Sequence, residues 1–214
     1  MSVAVDDEAN VTKLVEQISA KKPDLVEFRL DKLHEPRLLE EIVNAKSFPV
    51  IATDKSDRGS KATVELLSHA AAAGFDLVDI ELSVASSNPI VKKLKSQGSD
   101  VIVSFHDYSR TPSSEELRKV LQAEKNAGGD VCKVVTTAVK PSDNLAILGF
   151  VADESANTRL VSFAMGTYGI PSRILSPWFG AEFTFAAISE ESKTADGQLS
   201  VDALRMVWQT LGIQ

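Results

Sequence analysis

At 214 residues, with 43% hydrophobic and 25% charged side chains, the chain can bury one sizeable core and has the composition of an ordinary globular protein. Its 23 basic against 30 acidic side chains leave a net charge of −7, which argues against a general nucleic-acid binder but allows a local cation cluster around a small anion. The single cysteine, Cys132, excludes an internal disulfide, and no apolar run reaches the roughly 18 residues of a membrane span.

The first eight residues lack a basic segment followed by an apolar one, so no signal peptide is expected. With the lone thiol, this predicts a cytoplasmic protein that engages neither membrane nor nucleic acid. Strand-like runs are predicted at 3–5, 24–30, 49–53, 75–82, 100–106, 130–138, 159–165 and 181–188. Helical segments alternate with them. Residues 63–73 are rich in Ala and Leu and stop at Gly74. Pro112-Ser113-Ser114-Glu115-Glu116 reads as a helix start with carboxylates placed for the dipole, and Lys140-Pro141-Ser142-Asp143 opens another. Apolar residues at helical spacing over 201–211 close the pattern before Gly212. Eight βα units in little over 200 residues predict one (β/α)8 TIM barrel spanning 1–214. A doubly wound open sheet competes, but it carries fewer strands, and they read as near-continuous apolar runs.

Side chains alternate faces along a strand. Glu27, Arg29 and Asp31 therefore share a face, as do Asp79 with Glu81, Ser104 with His106, and Lys133 with Thr137. Helices cover the apolar face, so these polar sets point at the barrel axis, toward the strand ends where barrel sites form. Lys133 is the sharpest of them. An ammonium inside a strand is costly to bury, and an amine that sheds its proton attacks ketones to form a Schiff base. A snorkelling or ion-paired lysine would be the ordinary alternative, but four neighbouring units converging on one mouth speak for a site. After the seventh run, Met165-Gly166 leads through a glycine-rich turn to Arg173, whose fork suits a carboxylate. The polar stretch 189–198 reads as a lid, too acidic to cradle a phosphate. Cys132 faces the helices as a small buried group. His34 and His69 lack ligand spacing with His106, so no metal site is expected.

Glu27-Phe28-Arg29-Leu30-Asp31, Asp79-Ile80-Glu81-Leu82, Ser104-Phe105-His106-Asp107-Tyr108 with Thr111-Pro112, Cys132-Lys133, Met165-Gly166 with Ser172-Arg173, and Gly197-Gln198 resemble, in order, the type I 3-dehydroquinate dehydratases. The resemblance implies dehydration of 3-dehydroquinate to 3-dehydroshikimate in the shikimate pathway, with no metal or organic cofactor, by a homodimer. It implies Lys133 as the imine-forming amine, His106 as acid and base, and Glu81 as the group orienting His106. Arg173 would clamp the substrate carboxylate, with Glu27, Arg29 and Gln198 on the hydroxyls or the carboxylate. The chain departs from the family where an arginine usually follows the third-strand threonine. Lys55 stands there, without the arginine fork, and Arg58 is an alternative. In the lid, Thr194 takes the place of a serine and Asp196 that of a proline. Two other readings stay open: a class I Schiff-base aldolase on the same barrel, and a non-catalytic barrel that binds a small acid.

Overall fold

The Val- and Ile-rich runs pair side by side in chain order. A computed structural model describes residues 1–86 and 89–213. Among them, β1 (Ser2–Asp6), β2 (Val26–Lys32), β3 (Val50–Thr53), β4 (Leu77–Glu81), β5 (Asp100–His106), β6 (Val131–Thr137) and β7 (Leu160–Met165) form one sheet in the order β1 to β7. Every neighbouring pair is parallel. Parallel neighbours need crossovers, and helices supply them. The crossovers are α1 (Val11–Ala20), α2 (Arg37–Ala45), α3 (Ser60–Ala73), α4 (Leu82–Ala85) with α5 (Ile90–Ser96), α6 (Ser114–Ala127) and α7 (Asp143–Glu154), and α8 (Ile170–Leu175) and α9 (Val201–Leu211) follow β7. No helix among the described residues is long and apolar enough to cross a membrane.

The helix starts follow the predicted chemistry. Ser113 and Glu116 cap α6 reciprocally as a capping box. At α7, Asp143 accepts hydrogen bonds from the backbone of Val139 (2.8 Å) and Lys140 (3.1 Å). Two apolar layers hold the sheet. Outward residues such as Val26, Phe28, Val78 and Val103 pack under the helices, while Ile51, Leu77, Ile102, Val131, Val161, Phe163 and Phe185 fill the interior.

The eighth predicted strand differs. Residues 181–188 meet β7 through Glu182 N–H to Leu160 O (2.8 Å) and β1 through Ser2 N–H to Ala186 O (2.8 Å). Between these points no ladder forms, and Ala187 makes isolated parallel bridges to Ser2 and Ser200. The segment spans the gap between the two edge strands. Its middle turns Phe183 and Phe185 into the interior, where their rings meet edge-on with centroids 5.5 Å apart. The result is a TIM-barrel-like ring of seven regular strands closed by an irregular eighth segment.

Candidate active site

At the carboxyl ends of the strands lies a cavity of about 340 Å³, lined by Glu27, Arg29, Lys55, His106, Lys133, Arg173, Thr194 and Gln198 among others. All eight were expected to meet here, and alternation on parallel strands is what turns them to one side. Lys133 pairs with Ser104 across β5 and β6. His106 therefore stands on the neighbouring strand two residues beyond, roughly 7 Å nearer the mouth. The ninth expected residue, Glu81, stands behind His106.

Lys133 is 5% exposed. Its Nζ donates to Asp79 Oδ2 at 2.7 Å, lies 3.8 Å from Glu27 Oε1, and stands 4.6 Å above the centre of the Phe185 ring. Asp79 is fully buried. Burial works to raise its carboxyl, but Lys133 and Lys55 outweigh that and hold it below the usual carboxylate range. Glu27 in turn accepts hydrogen bonds from Ser2 Oγ and from Thr53 Oγ1, the latter at 2.9 Å.

His106 Nδ1 lies 2.6 Å from Glu81 Oε1. A carboxylate accepts, so the hydrogen is assigned to Nδ1 and the lone pair to Nε2. Burial lowers the imidazole below its ordinary value, the bond to Glu81 opposes this, and the charges of Lys55 and Lys133 add to the lowering. The ring is thus a neutral base near neutral pH, and Tyr108 stacks on it with centroids 5.8 Å apart. Lys55 Nζ donates to Asp79 Oδ1 (2.9 Å), Glu81 Oε1 (3.0 Å) and Ser104 Oγ (2.7 Å).

The part of the wall beyond β7 is cationic. Arg173 is 2% exposed, and its guanidinium lies 4.2 Å from the centre of the Phe163 ring. Its Nη2 donates weakly to Asp196 O at 3.4 Å, and its Nε is buried without a partner. Burial pushes this arginine down to about 10, with the charge of Glu27 opposing. A buried cation with open donors and no ion pair among the described residues is poised for an anionic ligand. Arg29 is tied to Asp31 by Nη2 at 2.6 Å.

The stretch 189–198 folds over this wall. Gln198 Oε1 accepts from Thr194 N–H (2.8 Å) and Oγ1 (3.1 Å), and Thr194 Oγ1 lies 2.9 Å from Ser2 Oγ. Gly197 has φ +74°, and a Cβ there would meet Gly166 O at 2.5 Å, so the lid sits directly on the loop after β7. Arg58 turns away from the cavity. It donates to the carbonyls of Leu30 (2.9 Å), Asp31 (2.8 Å) and Leu33 (2.9 Å), and so braces the loops after β2 and β3.

Sequence reasoning placed Asp79 and Ser104 on the inner face without giving either a role. The signal was available: a carboxylate two residues before another on one strand face requires buried cations. For Ser2 no local signal exists, since its partner Thr194 is 192 residues away.

A model of the family described as type I 3-dehydroquinase matches residues 1–214. The chain is 32% identical over 212 residues to the 3-dehydroquinate dehydratase of Dehalococcoides mccartyi, covering 95% of each chain. It is 32% identical over 206 residues to that of Methanosarcina barkeri, covering 88% of this chain and 85% of that one. The crystal structure of 3-dehydroquinate dehydratase from Geobacillus kaustophilus superposes with a TM-score of 0.86 at 25% identity, covering 99% of this chain and 89% of that one.

Proposed function

The chain belongs to the type I 3-dehydroquinase family, and from that membership and the geometry above we propose how it converts 3-dehydroquinate to 3-dehydroshikimate and water, a hydro-lyase step of the shikimate pathway. Lys133 adds to the C3 ketone, and loss of water gives an iminium that draws electrons from the neighbouring C2–H bond. His106, through Nε2, takes that proton and leaves an enamine. The enamine expels the C1 hydroxyl, which departs as water with the proton His106 returns. Water then hydrolyses the product iminium and frees Lys133. Glu81 holds Nδ1 and stabilises the imidazolium between the two transfers. Asp79 orients the Lys133 amine, and Arg173 receives the substrate carboxylate. Glu27, Arg29, Thr194 and Gln198 face the ring hydroxyls.

The observation that carries this reading is a buried amine and an imidazole on adjacent strands, lining one cavity together with a buried guanidinium that has no ion pair among the described residues. It favours a carboxylate-bearing substrate over the phosphate esters of many Schiff-base aldolases. Borohydride reduction in the presence of 3-dehydroquinate tests it. The expected result is a covalent adduct that peptide mass mapping places on Lys133. Folded protein that gains no adduct would defeat the mechanism.

The assembly is proposed as a homodimer in the cytoplasm. Trp178 and Phe179, 62% and 42% exposed, or the α9 face carrying Met206 and Leu211, offer apolar contact surface. Sedimentation at micromolar concentration measures the assembly, and a monomer would refute it.

A further inference from the structure

Lys55 was expected to touch substrate, yet the three hydrogens of its ammonium go to Asp79, Glu81 and Ser104 at 2.7–3.0 Å. Its side chain is 11% exposed, so it faces the cavity with no donor left for an incoming ligand. The two carboxylates it joins serve different ends of the chemistry. Asp79 takes the Lys133 amine, and Glu81 takes Nδ1 of His106. They project from one face of β4, two residues apart, and would repel one another without a cation between them. Ser104 completes the clasp, donating to Asp79 Oδ1 at 2.6 Å while accepting from Lys55.

We propose that Lys55 is a positioning residue, which clasps Asp79 to Glu81 and thereby aligns both the amine of Lys133 and the imidazole of His106 without contacting substrate. The proposal rests on the dehydratase reading above. The groups facing His106 are Glu81 and Asp79 from β4, Lys55 from the loop after β3, Lys133 from β6, and Tyr108 from its own loop. Of these, the two lysines disfavour the imidazolium and the carboxylates favour it. Removing the Lys55 charge therefore makes His106 easier to protonate.

The test compares Lys55→Met and Lys55→Arg with the unaltered chain in 3-dehydroquinate turnover across pH, alongside thermal melts and borohydride trapping. For Lys55→Met, kcat should fall about ten- to hundredfold as the reacting groups lose alignment. KM should stay within about threefold, because no ground-state contact is lost. The acid limb of kcat/KM should move to higher pH. Lys55→Arg keeps the charge, so its acid limb should stay near that of the unaltered chain. Its kcat should still drop, because a planar fork does not match three diverging acceptors. A Lys55→Met variant with raised KM but unchanged kcat and unchanged acid limb would make Lys55 a substrate contact and overturn the proposal. If that variant does not fold, Ser104→Ala opens the clasp more gently: lowered kcat at constant KM supports the role, and unchanged kcat refutes it. An unaltered chain that neither turns over nor traps 3-dehydroquinate defeats the dehydratase reading and this proposal together. An active chain with the KM-only defect defeats only the role given to Lys55.

Discussion

Asp79→Asn keeps the shape of the side chain and removes one charge from the most enclosed carboxylate of the site. That carboxylate accepts from Lys133 at 2.7 Å, Lys55 at 2.9 Å and Ser104 at 2.6 Å. In the variant two ammoniums, with side chains only 6% and 11% exposed, keep Glu27 at 3.8 Å and Glu81 at 3.0 Å as their remaining anions. Removing one member of a buried ion pair costs about 3–5 kcal/mol. For a chain of this length each kcal/mol moves the melting midpoint by about 2–4 °C, so the variant should melt about 6–20 °C lower. The sign with pH follows from proton counting. Lys133 and Lys55 hold the Asp79 carboxyl below the usual carboxylate range in the folded chain, so the unfolded form takes up its proton first on acidification. The stability that Asp79 contributes is therefore full above the ordinary carboxylate value of about 3.9 and is lost as pH falls further, and the deficit of the variant narrows in acid. Circular-dichroism melts of both proteins, at matched ionic strength and at neutral and strongly acidic pH, give the comparison. A deficit below about 0.5 kcal/mol at neutral pH, or one that widens in acid, would refute the picture of one carboxylate holding two buried cations.

Arg173→Met should trade binding for stability. Removing a buried cation that has no ion pair among the described residues should raise stability by about 0.5–2 kcal/mol in urea titrations. The same change should raise KM for 3-dehydroquinate about hundredfold, the value of a lost charge-assisted contact. Gly197→Ala puts a Cβ against Gly166 O and a left-handed φ on an ordinary residue, so it should cost about 1–2 kcal/mol and raise KM by displacing Gln198. In the unaltered protein, kcat/KM should rise with pH through a limb below the ordinary imidazole value of about 6.5, because the base must be unprotonated. A limb above that value would reassign the base.

Period-two alternation made much of the site legible. Once Glu27, Arg29, Glu81, His106 and Lys133 are placed on strands, parallel pairing turns them to one mouth, and no long-range knowledge is needed. What alternation does not give is partnership. It placed Lys55 just past a strand end but not the direction of its ammonium, which is decided by two carboxylates on the next strand. It placed Glu81 on the inner face but did not show that the side chain stands behind the imidazole. The eighth strand read as regular because Phe183 and Phe185 alternate with Glu182 and Thr184. Pairing, however, depends on how far apart the two edge strands lie, and that is settled by the closure of the whole ring. The contact of Ser2 with Thr194 has the same origin, since the two ends of the chain meet only when the sheet curls shut.

The sparsely paired closure between β7 and β1 bears on how the site opens. Every other neighbouring pair of strands is laced by a ladder, with one register shift in β1 between Ala4 and Asp6, whereas the segment leading into 189–198 is fastened at a few points. Displacing the flap would break those few bonds and no run of sheet bonds. The amine, the imidazole and their carboxylates stand on the laddered strands, and Phe185, 4.6 Å from the Lys133 Nζ, is a point where the seam touches them.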